Sequence, residues 1–275
     1  MSYEQEVAVH YTADHLLESI EAAVADVGKT TDDVTIEDLA PTDEFHVGSR
    51  PATQHLLNQL DFSAEDQILD VGCGLGGAAR YIATEYGCHV TGIDLTQSFI
   101  DVGINLNSWV GMNGRITLQQ ANALSMPFEA SAFDGATMLH VGMNIEDKSE
   151  LFREIYRVLR PGASFGVYDI MQIKAGDLSY PVPWATESHI SKVATPETYE
   201  DAIRQAGFQI DTKTVRLDYA LEFFEQIRAK TASNGGPAPF GLHLLMQEST
   251  PIKVKNMIDN FADGLIAPVE IIVRK

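Results

Sequence analysis

Cysteine and basic residues are scarce in this chain, and long apolar runs are missing. Cys73 and Cys88 stand 15 positions apart, with no Cys-x-x-Cys pair and no secretory context. A disulfide framework is thereby excluded, and a reduced pair in a cytoplasmic protein is expected. Eight histidines form no His-Glu-x-x-His and no spaced Cys/His set, so no metal site is expected. No stretch approaches the roughly 18 apolar residues of a membrane span, and the first thirty residues carry Glu4, Glu6, Asp14, Glu18 and Glu21 with no apolar signal-peptide segment. Lysine and arginine number 19 against 39 acids, a formal charge of −20. So negative a chain repels phosphate backbones and anionic lipid, which excludes nucleic acid and membrane as partners and leaves solubility or a saline habitat as the reason for the acidity.

What is present alternates. Strand-like runs at Gln67–Val71, His89–Ile93, Ile116–Gln120, Phe133–Leu139 and Ser164–Asp169 are separated by helical patterns at Gly77–Tyr86, Gln97–Asn107 and Asp147–Leu159. Strand and helix in strict succession predict an α/β fold with a parallel sheet covered on both faces. Ahead of it, Leu16, Ile20, Val24 and Val27 lie on one helical face that ends at Gly28 and Lys29, and the polar, Pro- and Gly-bearing stretch 30–53 reads as a long connecting loop, a lid. "RVLRPGAS" (Arg157–Ser164) reads as a helix end, a Pro-Gly turn and a strand entry. Thr195–Phe208 reads as a capped helix stopped by Gly207 and Gln209–Leu217 as a strand; helices follow around "SNGGPAPFG", and "PVEIIVRK" closes the chain as a strand. The expected division is an N-terminal helical arm and lid (1–50), a core (51–216), a helical cap insertion (217–266) and a final core strand (267–275).

The chemistry concentrates in "LDVGCGLGGAARYIATEYGCHVTGIDLT" (Leu69–Thr96). Gly72, Gly74 and Gly77 form G-x-G-x-x-G between a strand and a helix, which brings backbone close to a ligand and aims helix amides at it. Alone the pattern is shared by several nucleotide binders. Asp94 ends the next strand, where an acid accepts from ribose hydroxyls. Asp70 discriminates: a carboxylate beside the first glycine repels a pyrophosphate but attracts an ammonium and a sulfonium. That counts against a nicotinamide-dependent oxidoreductase and favours S-adenosylmethionine.

"ILDVGCGLGG", "VTGIDLT", "FDGATMLHVGMNIEDK" and "REIYRVLRPGASFGVYD" resemble the successive motifs of class I S-adenosylmethionine-dependent methyltransferases. The resemblance is closest to the sarcosine/dimethylglycine and tocopherol-type group, related to the ubiquinone/menaquinone C-methyltransferases, and covers about Phe45 to Phe208. It implies a Rossmann-like sheet of seven strands, the last antiparallel, with S-adenosylmethionine over the strand ends. It also implies that Asp70, Gly72, Cys73 and Gly74 line the methionine moiety, that Asp94 holds the ribose and that Leu95 lies against adenine. Asn122 and Ala123 fall where the family has Asp-Ala; an amide oxygen can accept the same bond from the adenine amine.

The remaining candidates carry two readings each. His140, after the fourth strand, faces the methyl donor and takes a proton, or is a packed strand-end histidine. Asn144 is catalytic, or a turn former. His46 belongs to the lid; Arg50 holds an acceptor carboxylate through its fork, or pairs with a nearby acid. Tyr11 and His15 cover the sulfonium by cation–π contact, or pack. Trp184, after two prolines, walls an acceptor pocket, or caps the core. The expected activity is methylation of a small-molecule acceptor, foremost the nitrogen of a glycine-type amine such as sarcosine or dimethylglycine. The alternatives are C-methylation of a quinol or tocopherol precursor and non-catalytic binding of S-adenosylmethionine. The sequence leaves room for an oligomer.

Overall fold

A computed structural model describes residues 3–12 and 15–275; residues 1, 2, 13 and 14 of the expected arm lie outside the described residues. Four helices precede the sheet: α1 (Tyr3–Tyr11), α2 (Leu16–Asp26), α3 (Ile36–Asp43) and α4 (Ser49–Leu57). The alternating core follows as β1 (Gln67–Val71), α5 (Gly77–Tyr86), β2 (His89–Asp94), α6 (Gln97–Trp109), β3 (Ile116–Gln120), β4 (Phe133–Leu139), α7 (Lys148–Val158) and β5 (Leu159–Gln172). Then come α8 (Pro196–Ala206), β6 (Gln209–Val215), α9 (Leu217–Ser233), α10 (His243–Met246), α11 (Thr250–Ala262) and β7 (Ile266–Arg274).

The strands form one sheet in the order β3-β2-β1-β4-β5-β7-β6. Neighbours run parallel except β7, which is antiparallel to both β5 and β6. This is the seven-stranded sheet with a reversed last strand that the resemblance implied. The parallel strands read as continuous apolar runs because helices bury both faces. On one face Leu151, Phe152, Ile155 and Val158 of α7 and Ile203 of α8 pack against Val71, Met138 and Val167. On the other, Leu56 of α4, Ile82 of α5 and Ile100 of α6 pack against Ile68 and Val90. Among the described residues no helix is long and apolar enough to cross a membrane.

Two expectations need correction. The stretch 30–53 is not a long loop: it carries α3 and the start of α4, so the expected boundary at residue 50 falls inside a helix. Thr35 accepts from the Asp38 amide while Asp38 accepts from the Thr35 amide, a reciprocal cap that starts a helix where the apolar pattern alone is too short to announce one. The fifth strand begins earlier than Ser164. The Gly162 amide donates to the Lys275 carbonyl at 2.7 Å and the Lys275 amide to Ala163 at 2.9 Å, so the end of the chain draws the Pro-Gly turn into the sheet.

α3 is fixed to the core by charge. The Arg80 guanidinium of α5, fully buried, donates to Asp43 Oδ2 at 2.7 Å, to Asn107 Oδ1 at 2.7 Å and to the Leu75 carbonyl at 2.7 Å. Gly77 makes the approach feasible, since a Cβ there would lie 2.5 Å from the Asp43 carboxylate. Breaking a buried pair from one side strands the other charge. Arg80→Met is therefore expected to lose about 3–5 kcal/mol in urea unfolding, and adding Asp43→Leu to recover part of it. A single variant as stable as the parent rules out this role.

Candidate active site

The C-terminal ends of β1, β2 and β4 open into a cavity of about 1410 Å³, larger than the roughly 300–1,000 Å³ of an ordinary small-molecule site. Asp70, Gly72, Cys73 and Gly74 line it from the β1 turn, Asp94 and Leu95 from the end of β2, Asn122 and Ala123 after β3, and His140 after β4. Every residue expected to hold the cofactor thus meets at one place.

The turn after β1 needs glycine at position 72, where φ is +69° and a Cβ would sit 2.3 Å from Val141. Asp94 fixes the same turn: its Oδ2 accepts from the Gly74 amide at 3.0 Å and its Oδ1 from the Thr96 amide at 2.8 Å. Burial nevertheless raises the Asp94 carboxyl above the ordinary range. Asp70 accepts from the Thr137 hydroxyl at 2.9 Å through Oδ1, while its Oδ2 is buried without a partner. Burial, reinforced by Asp94 and Glu44 and opposed by Thr137 and His46, pushes this carboxyl up to about 6. The Cys73 thiol is pushed well up by burial and the neighbouring carboxylates, so it lines the cavity as a neutral group. Asn122 Oδ1 already accepts from the Leu124 amide at 2.9 Å, which leaves one lone pair for a ligand.

His140 stands in the left-handed region, φ +56°, a conformation costing a non-glycine residue of order 1–3 kcal/mol; its amide donates to the Tyr168 carbonyl at 2.7 Å. Nε2 of its ring is buried without a partner. Burial, with His46 nearby, holds its pKa well below the usual imidazole value, so the ring is neutral at pH 7. The His46 ring, on the turn between α3 and α4, lies 5.9 Å from that of His140 and also lines the cavity.

Arg50 does not join them. Its Nε donates to Glu44, its guanidinium lies 4.5 Å over the Tyr81 ring, and it is absent from the cavity wall. Of its two readings, the ion pair holds. Asn144 is likewise spoken for: its Oδ1 accepts from the Tyr11 hydroxyl at 2.8 Å and its Nδ2 donates to the Trp184 carbonyl at 2.8 Å. With both ends of the amide committed, Asn144 clasps α1 to the loop after β5, and a direct catalytic role is not what the geometry gives it. Tyr3 strengthens the clasp, donating to the Asn144 carbonyl at 2.6 Å. Tyr11 is half-buried under this clasp and lines the cavity, packed against Phe45 and Phe99; His15 is exposed, pairs with Glu18 and does not reach the site. Trp184 both lines the cavity and packs in the core, its Nε1 donating to Ser191 at 3.0 Å.

Sequence reasoning missed Glu44 and Thr53, which support His46, and the far wall of the cavity. That wall is apolar: Phe223 and Phe224 of α9, Leu245 of α10, and Val254 and Met257 of α11. The i, i+3 spacing of Val254 and Met257 is a legible stripe, but only the fold shows that it faces a ligand.

A family model described as a methyltransferase domain matches residues 69–167. The chain is 30% identical over 179 residues to the O-methyltransferase resE of Aspergillus sclerotiorum, covering 63% of this chain and 66% of that one. It is 28% identical over 169 residues to a glycine/sarcosine/dimethylglycine N-methyltransferase of Actinopolyspora halophila, covering 62% of this chain and 30% of that one. The chain thus spans just under two thirds of the first relative and under a third of the second. The crystal structure of geranyl diphosphate C-methyltransferase from Streptomyces coelicolor A3(2), with Mg2+, geranyl-S-thiolodiphosphate and S-adenosyl-L-homocysteine, superimposes with a TM-score of 0.73 at 18% identity, covering 100% of this chain and 98% of that one; at that identity the likeness shows the fold alone. With the glycine turn, the two strand-end acids and the reversed seventh strand in place, residues 69–167 form a methyltransferase domain of the class I S-adenosylmethionine-dependent type.

Proposed function

We propose that this chain methylates a small, largely apolar acceptor, with S-adenosylmethionine as the donor. The observation that carries the reading is one cavity with an unpartnered buried carboxylate, Asp70, at its strand end and an apolar aromatic wall at the other. The residues present fit the cofactor: Asp70 Oδ2 is an open acceptor for an α-ammonium, Asp94 retains lone pairs for ribose hydroxyls, and Leu95 offers an apolar face to adenine. When bound, S-adenosylmethionine supplies a methyl group on a sulfonium, and transfer leaves a neutral thioether and one proton from the acceptor. The chain's own part is to enclose, orient and take that proton. Tyr11 and the α1 clasp exclude water, which raises the value of positioning. His140, neutral and lining the cavity, is the base for a hydroxyl or amine acceptor.

A second reading, N-methylation of a glycine-type amine, is favoured by the likeness to the Actinopolyspora halophila enzyme. It loses its expected carboxylate ligand with Arg50 bound to Glu44. An unpartnered carboxylate at the glycine turn also disfavours a pyrophosphate cofactor.

Release of S-adenosylhomocysteine should be followed with phenols, quinols and terpenoid alcohols beside glycine, sarcosine and dimethylglycine. Turnover is expected in the first set; turnover confined to the amines reverses the acceptor assignment, and cofactor binding with silence throughout leaves a non-catalytic binder. With a working hydroxyl or amine acceptor, His140→Ala should lower kcat by about 10²–10⁴ and leave S-adenosylhomocysteine affinity little changed.

Asp70 gives a separate test. Its folded pKa lies above the unfolded value, so its contribution to stability is complete below about pH 4 and is lost as pH rises through about 6. Asp70→Asn should therefore be more stable than the parent at pH 7.5, by about 2–3 kcal/mol, and equal to it below pH 4. In melts with S-adenosylmethionine the parent should gain and the variant should not. A variant stabilised by the cofactor as much as the parent removes Asp70 from the site.

A further inference from the structure

Among the polar atoms buried without partners, three lie on neighbouring rings at the cavity: His46 Nδ1, His140 Nε2 and Tyr168 Oη. They belong to three rings in mutual contact, with centroids 5.9 Å apart for His46 and His140, 5.2 Å for His140 and Tyr168 and 6.1 Å for His46 and Tyr168. Buried polar groups are ordinarily paired, so a cluster of orphans calls for a reason.

The hydrogen bonds around His46 fix its tautomer. Glu44 is buried; although burial raises its pKa, bonds and charge from His46, Arg50 and Thr53 outweigh that and hold it below the usual value. It is therefore a carboxylate, which only accepts. The single hydroxyl proton of Thr53 goes to Glu44 Oε2, so toward His46 Nε2, 3.0 Å away, Thr53 can only accept. The His46 proton is thus on Nε2, and Nδ1 is left with a lone pair in a buried position, on a ring in edge contact with that of His140, whose Nε2 is also unpaired. A nitrogen-to-nitrogen bond between imidazoles brings their centroids to roughly 5 Å, so it requires the two rings to close from the 5.9 Å between them here.

From this we infer that Glu44, Thr53 and His46 form a positioning relay for His140, the catalytic base. The inference rests on the methyl-transfer reading above. His140 takes the acceptor's proton on one ring nitrogen, and its Nε2 proton is donated to, or passed to, His46 Nδ1; His46 keeps its own Nε2 proton on Thr53. The charge that burial makes costly on His140 is shared with a ring backed by a carboxylate. The other charged or titratable groups facing the pair are Asp70 from β1, Arg50 from α4 through Glu44, and the Tyr168 hydroxyl from β5.

The test is a titration of the ¹⁵N-histidine-labelled full chain by NMR, which needs neither acceptor nor turnover. The relay requires the neutral His46 ring to carry its proton on Nε2. It also requires His46→Phe, which keeps a ring and removes the lone pair, to lower the His140 midpoint by about one pH unit, acceptance by that lone pair outweighing the repulsion through which His46 helps hold the His140 pKa down. Simple repulsion between two imidazoles predicts the opposite shift, so a higher or unchanged His140 midpoint overturns the relay. Glu44→Gln, whose oxygen stays on Arg50 and whose amide then donates to Thr53, should turn the Thr53 hydroxyl toward His46 Nε2, move the His46 proton to Nδ1 and lower His140 in the same direction. If neither variant folds, the wild-type spectrum decides, since a proton on His46 Nδ1 overturns the relay. A role for His46 in holding the cofactor instead would show as weaker S-adenosylhomocysteine binding in His46→Phe with His140 unmoved. Failure of the methyltransferase reading is separate: the wild type would then not bind S-adenosylhomocysteine at all.

Discussion

The roof of the site depends on one buried ion pair. Arg80 of α5 and Asp43 at the end of α3 meet with both side chains out of solvent, and the next three residues, Glu44, Phe45 and His46, are delivered over the strand ends by that anchor. Burying two charges is expensive and returns little net stability when compared with an apolar contact. Its value is in register. A salt bridge backed by Asn107 and the Leu75 carbonyl admits one seating of α3, whereas an apolar contact tolerates sliding. Gly77, which leaves room for Asp43, is the same glycine that opens α5, so the ligand-binding turn and the roof share a residue.

Negative charge is the second organising constraint. Asp70 and Asp94 are both buried at the cavity, and both have carboxyls raised by that burial. Asp94 is partly compensated by backbone amides, while Asp70 retains an unpaired oxygen. A folded chain keeps such a group when a cationic ligand repays its desolvation. The acidic surface does not explain Asp70, because solubility is served by exposed carboxylates and this one is buried at the cavity.

How much of this was legible follows from the range of the interactions. The strands β1, β3 and β4 and the helix α5 lie where apolar runs and glycines put them, since those signals are local. Asp70, Asp94 and His140 meet because they stand at the ends of adjacent parallel strands, a consequence of topology that alternation already predicts. The helices α3 and α4 were hidden by polar composition and by Pro41 inside α3. Arg50 was readable in principle, its partner Glu44 being six residues away. Asn144 was not: its bonds reach Tyr11, 133 residues distant, and Trp184, 40 residues on. Side chains whose partners come from a different part of the chain acquire their role only on folding.

The clasp and the apolar wall constrain entry together. Tyr3 and Tyr11 of α1 both bond to Asn144, and His10 of the same helix reaches the Pro183 carbonyl at 2.9 Å. The arm is thus hydrogen-bonded to the loop that carries Trp184 rather than buried in the main core, and α1 contributes only Val7 to the fully buried set. Few apolar contacts and several polar ones make an element that can leave at low cost relative to the sheet. A cavity sealed on its strand side by β1, β2 and β4 and walled by α9 and α11 has α1 as its least anchored side. That side is held through Asn144, to which Tyr3 and Tyr11 both donate. A residue that looked catalytic by position has both ends of its amide spent on tying α1 to the loop that carries Trp184.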